Sequence, residues 1–297
     1  MTRFLWKGAR MTHIPGVLAL AVMILASVPS ASVSAEIGRP GRIVSINLCA
    51  DELLMALADA DQIAALSPYA VDPTLSFLAD EATAFRHDAA EAEIVIDIAP
   101  DLILAGRFTK LATRNLLTGL GYRVVPVDAA RSIEQSVAQI REIAALVGHP
   151  ERGETLIGEI ETAFASARRA AEAMTLLPSA AVYQRRGYVT GAETLTAELL
   201  TAVGLANAGG ALAGRTGGFV PLERLVSVRP DYLVVAAPEI PAEDQGTALL
   251  SHPVLTQLYP PERRIFLSEK LTVCAGPSLP AALNYLAAEV ARITAGK

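Results

Sequence analysis

Apolar residues fall in two rhythms along the chain, and the switches between them mark out its elements. RIVSINL, opened by Arg42, is a compact apolar run that predicts a buried strand, and in CADELLMALADADQIAAL the leucines then recur at helical spacing. Asp51 and Glu52 fall in the first turn of that helix, where carboxylates complement its positive end. SPYAVDP is irregular and residues 74–84 read as a weak helical segment. IAPDLILAG predicts a helix end broken at Pro100, then a strand from Leu102 to Ala105. A helix from about Leu111 to Leu120, a stop at Gly121, the strand RVVPVD and a helix from Ile133 to Val147 follow, the last stopped by GHP. A long helix from Glu151 to about Ala173 would span about 35 Å at about 1.5 Å per residue. Beyond Pro178 the cycle restarts: SAAVYQ as strand, GAETLTAELLTAVG as helix, ERLVSVRP as short helix, DYLVVAA and RRIFLS as strands, and a closing helix after Pro280.

Strand, helix, strand, helix is the grammar of a parallel sheet covered on both faces. It is written twice. EIVIDIAPDLILAG (93–106) and ERLVSVRPDYLVVA (223–236) each open on a glutamate, place Pro-Asp seven residues later and run into a short apolar segment. The pattern predicts two similar α/β lobes with parallel central sheets joined by one long rigid helix. Residues 36–130 form the first lobe, 131–177 a helical linker holding the interlobe helix, and 178–297 the second lobe.

The first 35 residues stand apart from this pattern. Arg3, Lys7 and Arg10 precede the apolar run VLALAVMILASV, and Val33 and Ala35 occupy the minus-three and minus-one positions of an export cleavage site. The run is shorter than the roughly 20 residues that cross a hydrocarbon core, so a cleaved signal and a periplasmic mature chain are expected. Met11 remains an alternative start. Loss of the three cations moves the net charge from −6 to about −9, which argues against nucleic-acid binding by counterion release. In an exported chain the two cysteines, Cys49 and Cys274, form either a single bridge, a pair of buried thiols or a ligand-contacting pair.

Enzymatic signatures are thin. His87, His149 and His252 lack metal-ligand spacing, GxGxxG and phosphate-loop motifs are absent, and GRTGG reads as a flexible loop. No cofactor is expected. Polar and aromatic residues recur instead just beyond strand ends: Asn47 and Cys49, Arg107 and Phe108, Gln184, Arg186 and Tyr188, and Lys270. In parallel α/β sheets ligands bind at that edge. Two such edges facing each other make a cleft lined by Arg107, Arg186, Arg215 and Lys270, with Tyr69, Phe108 and Tyr188 as flat apolar surface. A thiol enzyme built on Cys49, or an adhesion module, is the alternative class.

Taken in order, RIVSINLCADELLMALADADQIAAL, EIVIDIAPDLILAG, LLTGLGYRVVPVD, the long helix, YVTGAETLTAELLTAVGLAN and ERLVSVRPDYLVV make the chain resemble the periplasmic substrate-binding proteins for iron chelates and vitamin B12 that serve ABC importers. The resemblance covers residues 41–291. It implies the class III binding-protein fold, a ligand held in a shallow groove between the lobes, and a monomer when free. It also implies that Glu93 and Glu223, one per lobe, dock on arginines of the two permease subunits. This chain departs from the pattern in having Asn47, Leu48 and Cys49 after its first strand, and in keeping its only tryptophan, Trp6, within the export signal. Should Cys49 and Cys274 pair, the bridge would clamp the lobes near the cleft. The cationic residues favour an anionic iron chelate, a ferric siderophore or heme, over a corrinoid.

Overall fold

The computed structural model describes residues 39–107, 109–236 and 249–295. The expected export signal with Trp6, and Phe108, lie outside the described residues. The first lobe runs β1 (Ile43–Ser45), α1 (Leu48–Leu57), β2 (Ile63–Ala65), α2 (Ala79–Ala82), α3 (Ala92–Ile98), β3 (Leu102–Gly106), α4 (Leu111–Gly119) and β4 (Val124–Val127). Helices α5 (Ile133–Val147) and α6 (Pro150–Glu172) follow. The second lobe comprises β5 (Ser179–Val182), β6 (Tyr188–Thr190), α7 (Leu195–Ala202), β7 (Ala206–Asn207), α8 (Gly209–Ala213), β8 (Gly217–Phe219), α9 (Leu222–Val228), β9 (Tyr232–Val235), α10 (Pro253–Leu258), β10 (Arg264–Phe266) and α11 (Leu279–Thr294).

The sheet orders are β2-β1-β3-β4 and β10-β9-β5-β7, and every pairing within them is parallel. Numbering the strands of each sheet within its own lobe, both orders are 2-1-3-4, the second listed from the opposite edge. The two lobes are therefore topological copies. Each has its switch point between its first and third strands, where the crossover connections turn to opposite sides and leave a crevice at the carboxyl ends.

Strand alternation distributes the core. Ile43, Leu102 and Leu104 face one buried cluster, while Val44, Ile103 and Ala105 face another under α3 and α4. In the second lobe Ala180, Val182 and Val234 point to the first of these clusters, and Ala181, Leu233 and Val235 to a third under α8, α9 and α10. The first cluster also takes in Leu53 of α1, Ile140 of α5, Ile157 and Ile160 of α6, Leu199 of α7 and Leu283 of α11. One continuous apolar core thus crosses both lobes through α6. Such packing resists large hinge motion, because opening would expose apolar surface at about 25 cal/mol per Å².

The repeated sequence has a repeated structure. α3 and α9 both end on a non-glycine residue in the left-handed region, Ala99 (φ 50°, ψ 62°) and Arg229 (φ 49°, ψ 62°), each followed by Pro-Asp. Proline bars the preceding residue from continuing the helix, so the chain turns there. The aspartate then fastens the start of its lobe's first strand. Asp101 Oδ2 accepts from the backbone N–H groups of Gly41 (3.0 Å) and Arg42 (2.9 Å), and Asp231 Oδ2 accepts from the N–H (2.9 Å) and Oγ (2.7 Å) of Ser179.

Two local expectations are corrected. The helical stretch ending in QIAAL stops at Leu57, where Asp59 and Gln62 form a capping box around a short turn and release Ile63–Ala65 to pair with β1. The supposed flexible loop GRTGG contains β8, antiparallel to β6 with Tyr188 opposite Phe219. Gly217 serves close backbone approach: a Cβ there (φ 104°) would lie 2.7 Å from both Tyr188 Oη and the Val189 carbonyl oxygen.

Candidate functional site

The carboxyl edges of the two sheets meet at a covalent floor. Asn47, immediately beyond β1, caps α1 by accepting from the Ala50 N–H at 3.1 Å, and this places Cys49 in the first turn. Cys49 is bonded to Cys274, which lies in the segment between β10 and α11. Beside the disulfide, Ser136 Oγ of α5 donates to the Ala275 carbonyl (3.0 Å), and Glu198 of α7 accepts from the Ile133 N–H (2.8 Å). The floor therefore ties β1, α5 and the second lobe together. It also occupies the thiol that an enzyme built on Cys49 would need as nucleophile.

On the first lobe, the switch point between β1 and β3 opens into a pocket of about 340 Å³ lined by Asn47, Tyr69, Glu91, Thr109 and Lys110 among others. Gly106 at the end of β3 lets the two strand ends converge, since a Cβ there would lie 2.3 Å from Asn47 Nδ2. Thr109 Oγ1 donates to the Ile46 carbonyl (3.2 Å) and accepts from the Gly106 N–H (3.1 Å), which knits the crevice shut beneath the pocket. Tyr69 stands at its mouth, 57% exposed. Lys110 Nζ donates to Glu91 at 3.0 Å, and this partner, with the nearby Tyr69 phenol, raises the lysine pKa above its ordinary value.

On the second lobe, Gln184, Arg185 and Arg186 follow β5 in a tight turn. Arg186 is exposed and adopts φ 58° without being glycine. Left-handed backbone at a non-glycine residue costs about 1 kcal/mol or more, and such strain concentrates at binding sites. Tyr188 packs edge-to-face on Phe219 at 5.5 Å between ring centroids, and Phe219 is 72% exposed. The pair presents an aromatic wall that the sequence signalled only through Tyr188. Arg215 pairs with Glu193 at 2.6 Å, and Lys270, half-buried, lies in the turn after β10.

Arg107 does not line the pocket of Tyr69. It pairs with Asp128 at 3.2 Å and lines a separate, open depression of about 590 Å³ with residues 128–142. Sequence reading missed Lys110, Glu91 and Phe219. The available sequence signal for Lys110 was a cation a few residues past the third strand. Among the described residues no three His, Cys, Asp or Glu side chains converge as a metal site.

Glu93 and Glu223 are exposed in the first turns of α3 and α9. Each helix precedes the third strand of its lobe and runs back along it, so its N-terminus sits at the carboxyl edge of the sheet. Both carboxylates accordingly flank the crevice-bearing edge, and Glu223 is near enough to Tyr183, at the end of β5, to help raise that phenol's pKa after burial.

A family model described as periplasmic binding protein matches residues 43–259. A search of curated protein sequences finds no match. Among solved structures, the chain is similar to the periplasmic heme-binding protein RhuT from Roseiflexus sp. RS-1 in apo form, at 21% identity and a TM-score of 0.69, covering 86% of this chain and 99% of that one. A periplasmic heme-binding protein from Pseudomonas aeruginosa gives 21%, 0.68, 84% and 92%, and the periplasmic vitamin B12 binding protein BtuF of Vibrio cholerae gives 16%, 0.64, 86% and 98%. At such identities the likeness speaks to the fold.

Proposed function

The chain belongs to the periplasmic binding protein family, and from that premise we propose that it is the cargo-binding component of an ABC importer, carrying heme or another ferric chelate between its lobes. It is exported by cleavage after Ala35 and works in the periplasm as a binding protein, not an enzyme. The observation that carries the cargo reading is the first-lobe pocket, where an exposed phenol, Tyr69, stands beside Lys110. Ferric iron is a hard cation that favours oxygen donors, and a phenol supplies one. The heme-binding proteins among the structures of similar fold support the same choice.

Chelate carboxylates need cations. Lys110 and Arg215 are held by Glu91 and Glu193, but both pairs are exposed, and exposed ion pairs contribute only about 0–1 kcal/mol. Such pairs exchange partners readily when an anionic ligand enters. Arg186 is exposed on its strained turn and can meet a carboxylate directly. The Tyr188–Phe219 wall supplies a flat apolar face to the ring system, with Gln184 and Asn47 as neutral hydrogen-bonding groups at the two strand ends.

Glu93 and Glu223 serve the permease rather than the cargo. Two topologically equivalent lobes carrying the same exposed carboxylate present a pseudo-symmetric pair of contacts to a partner with two-fold symmetry. The cargo reading is tested by titrating the mature protein with hemin, an anionic ferric siderophore and cyanocobalamin, following heme absorbance and tyrosine fluorescence. Tight binding of hemin or the siderophore, weakened by Tyr69→Phe, is expected. Tight binding of cyanocobalamin alone overturns it.

A further inference from the structure

The segment that carries Tyr69 is fastened at both ends to two adjacent side chains of α1. At its start, Ser67 donates twice to Asp51, through its N–H to Oδ1 (3.0 Å) and through its hydroxyl to Oδ2 (2.5 Å). At its far end, the N–H of Phe77 donates to Glu52 Oε1 at 2.8 Å. Between these anchors the chain folds on itself: the Ala70 N–H donates to the Ser67 carbonyl, Asp72 to Tyr69, and Ser76 to Asp72, at 3.1, 3.1 and 2.8 Å. Residues 67–77 are thus a closed loop whose two ends are held one residue apart on a helix.

Asp51 and Glu52 are both buried, and α1 is the element that carries Asn47 and the interlobe disulfide. Burying two neighbouring carboxyls is costly unless their hydrogen bonds recover it. Here three of those bonds go to the loop, and two of the three end on backbone N–H groups that any sequence in the loop would offer. Among the described residues, Glu52 Oε2 and Ser76 Oγ are buried without a hydrogen-bond partner.

We propose that Asp51 and Glu52 are positioning residues for the cargo groove: they transmit the rigid orientation of α1 to the 67–77 loop and so fix where Tyr69 and Pro68 stand at the pocket mouth. This rests on the reading of that pocket as the cargo site. Removing either anchor frees one end of the loop while leaving both sheets and the shared core intact. Tyr69 then samples many positions, and ligand affinity falls although no ligand contact has been deleted.

The test compares Asp51→Ala and Glu52→Ala with the shape-preserving Asp51→Asn and Glu52→Gln, using hemin as probe together with amide hydrogen exchange in its absence. In the alanine variants the hemin Kd should rise by about tenfold or more, the scale of one well-placed polar contact. Exchange should accelerate in residues 67–77 while the amides of β3 and β5 stay protected. The amide variants, which keep an acceptor oxygen, should recover most of the affinity and the protection. A faster loop with unchanged Kd overturns the proposal, as does loss of protection spread over both sheets. Should an alanine variant fail to fold, Asp51→Val and Glu52→Met, which keep much of the side-chain volume without an acceptor oxygen, take its place: loosening confined to 67–77 with weaker hemin binding supports positioning, and wild-type behaviour in both, or loosening spread over both sheets, overturns it. If wild-type protein binds the ferric siderophore and not hemin, the siderophore serves as the probe; if it binds neither, the cargo reading fails separately. The anchor then stands or falls on whether accelerated exchange is confined to 67–77.

Discussion

The residues that set this molecule's chemistry are few, and burial raises two of its carboxyls, Asp51 and Glu52, well above their ordinary range. Burial pushes Asp51 up to about 8 from an ordinary 3.8 and Glu52 up to about 7 from 4.5, against the opposing pull of their hydrogen bonds from Ser67 and Phe77. The folded protein therefore holds protons that the unfolded chain would release. Their contribution to stability is complete below the ordinary carboxylate range, declines as pH rises toward 7, and is lost once pH passes about 8. Urea midpoints should accordingly fall between pH 6 and pH 9, and the double variant Asp51→Asn, Glu52→Gln should flatten that slope. A wild-type midpoint that rises over the same interval would contradict the burial effect. Of the expected groove residues, those at the ends of the lobes' first strands, Asn47, Gln184 and Arg186, could be anticipated because strand ends are visible in sequence. Phe219 could not be, because its place opposite Tyr188 comes from an antiparallel pairing across two intervening helices, α7 and α8.

At the scale of elements, the recurring joint of short helix, left-handed residue, Pro-Asp and strand is what makes the two lobes alike. Its signal was legible because proline and aspartate act locally: one stops the helix, the other caps a neighbouring strand. The left-handed Ala99 and Arg229 were not legible, since neither residue type favours that region and only the constraint of the following proline and the packed strand holds them there. Replacing either by glycine should relieve the backbone, offset in part by the greater freedom of glycine when unfolded. A net gain of about 0.5–1 kcal/mol in urea denaturation is expected for Ala99→Gly, with a similar gain for Arg229→Gly. Loss of stability would mean that the side chains contribute more than the strain costs.

Across the whole molecule, the shared core and the Cys49–Cys274 bridge act on the same motion, the separation of the lobes. A crosslink spanning 225 residues of sequence closes a long loop in the unfolded chain, and removing it by Cys49→Ser with Cys274→Ser should cost about 2–5 kcal/mol. Denaturation with and without reductant would check this, reductant shifting the wild type and leaving the double serine variant unchanged. Docking on the permease is a property of both lobes together. Glu93→Ala with Glu223→Ala should leave the hemin Kd of the isolated protein unchanged while weakening binding to reconstituted permease, each truncated charge contact costing about 2–5 kcal/mol. Single variants should fall between. Equal loss of hemin binding would move these carboxylates into the groove.

By itself, the sequence determined the two α/β lobes, the helix between them and most strand positions, because hydrophobic period, proline stops and buried apolar runs are properties of contiguous residues. It also marked which strand ends could face a ligand. Only the tertiary structure decided that both sheets share the order 2-1-3-4, that β2 breaks away from the helical pattern, and that Arg107 faces a different depression from the pocket of Tyr69 and Lys110. It alone joined Cys49 to Cys274 and the 67–77 loop to Asp51 and Glu52. The physical reason is the range of the interactions: periodicity and capping act over a few residues, whereas strand order, ion-pair partners and buried anchors depend on which distant segments the common core brings within hydrogen-bonding reach.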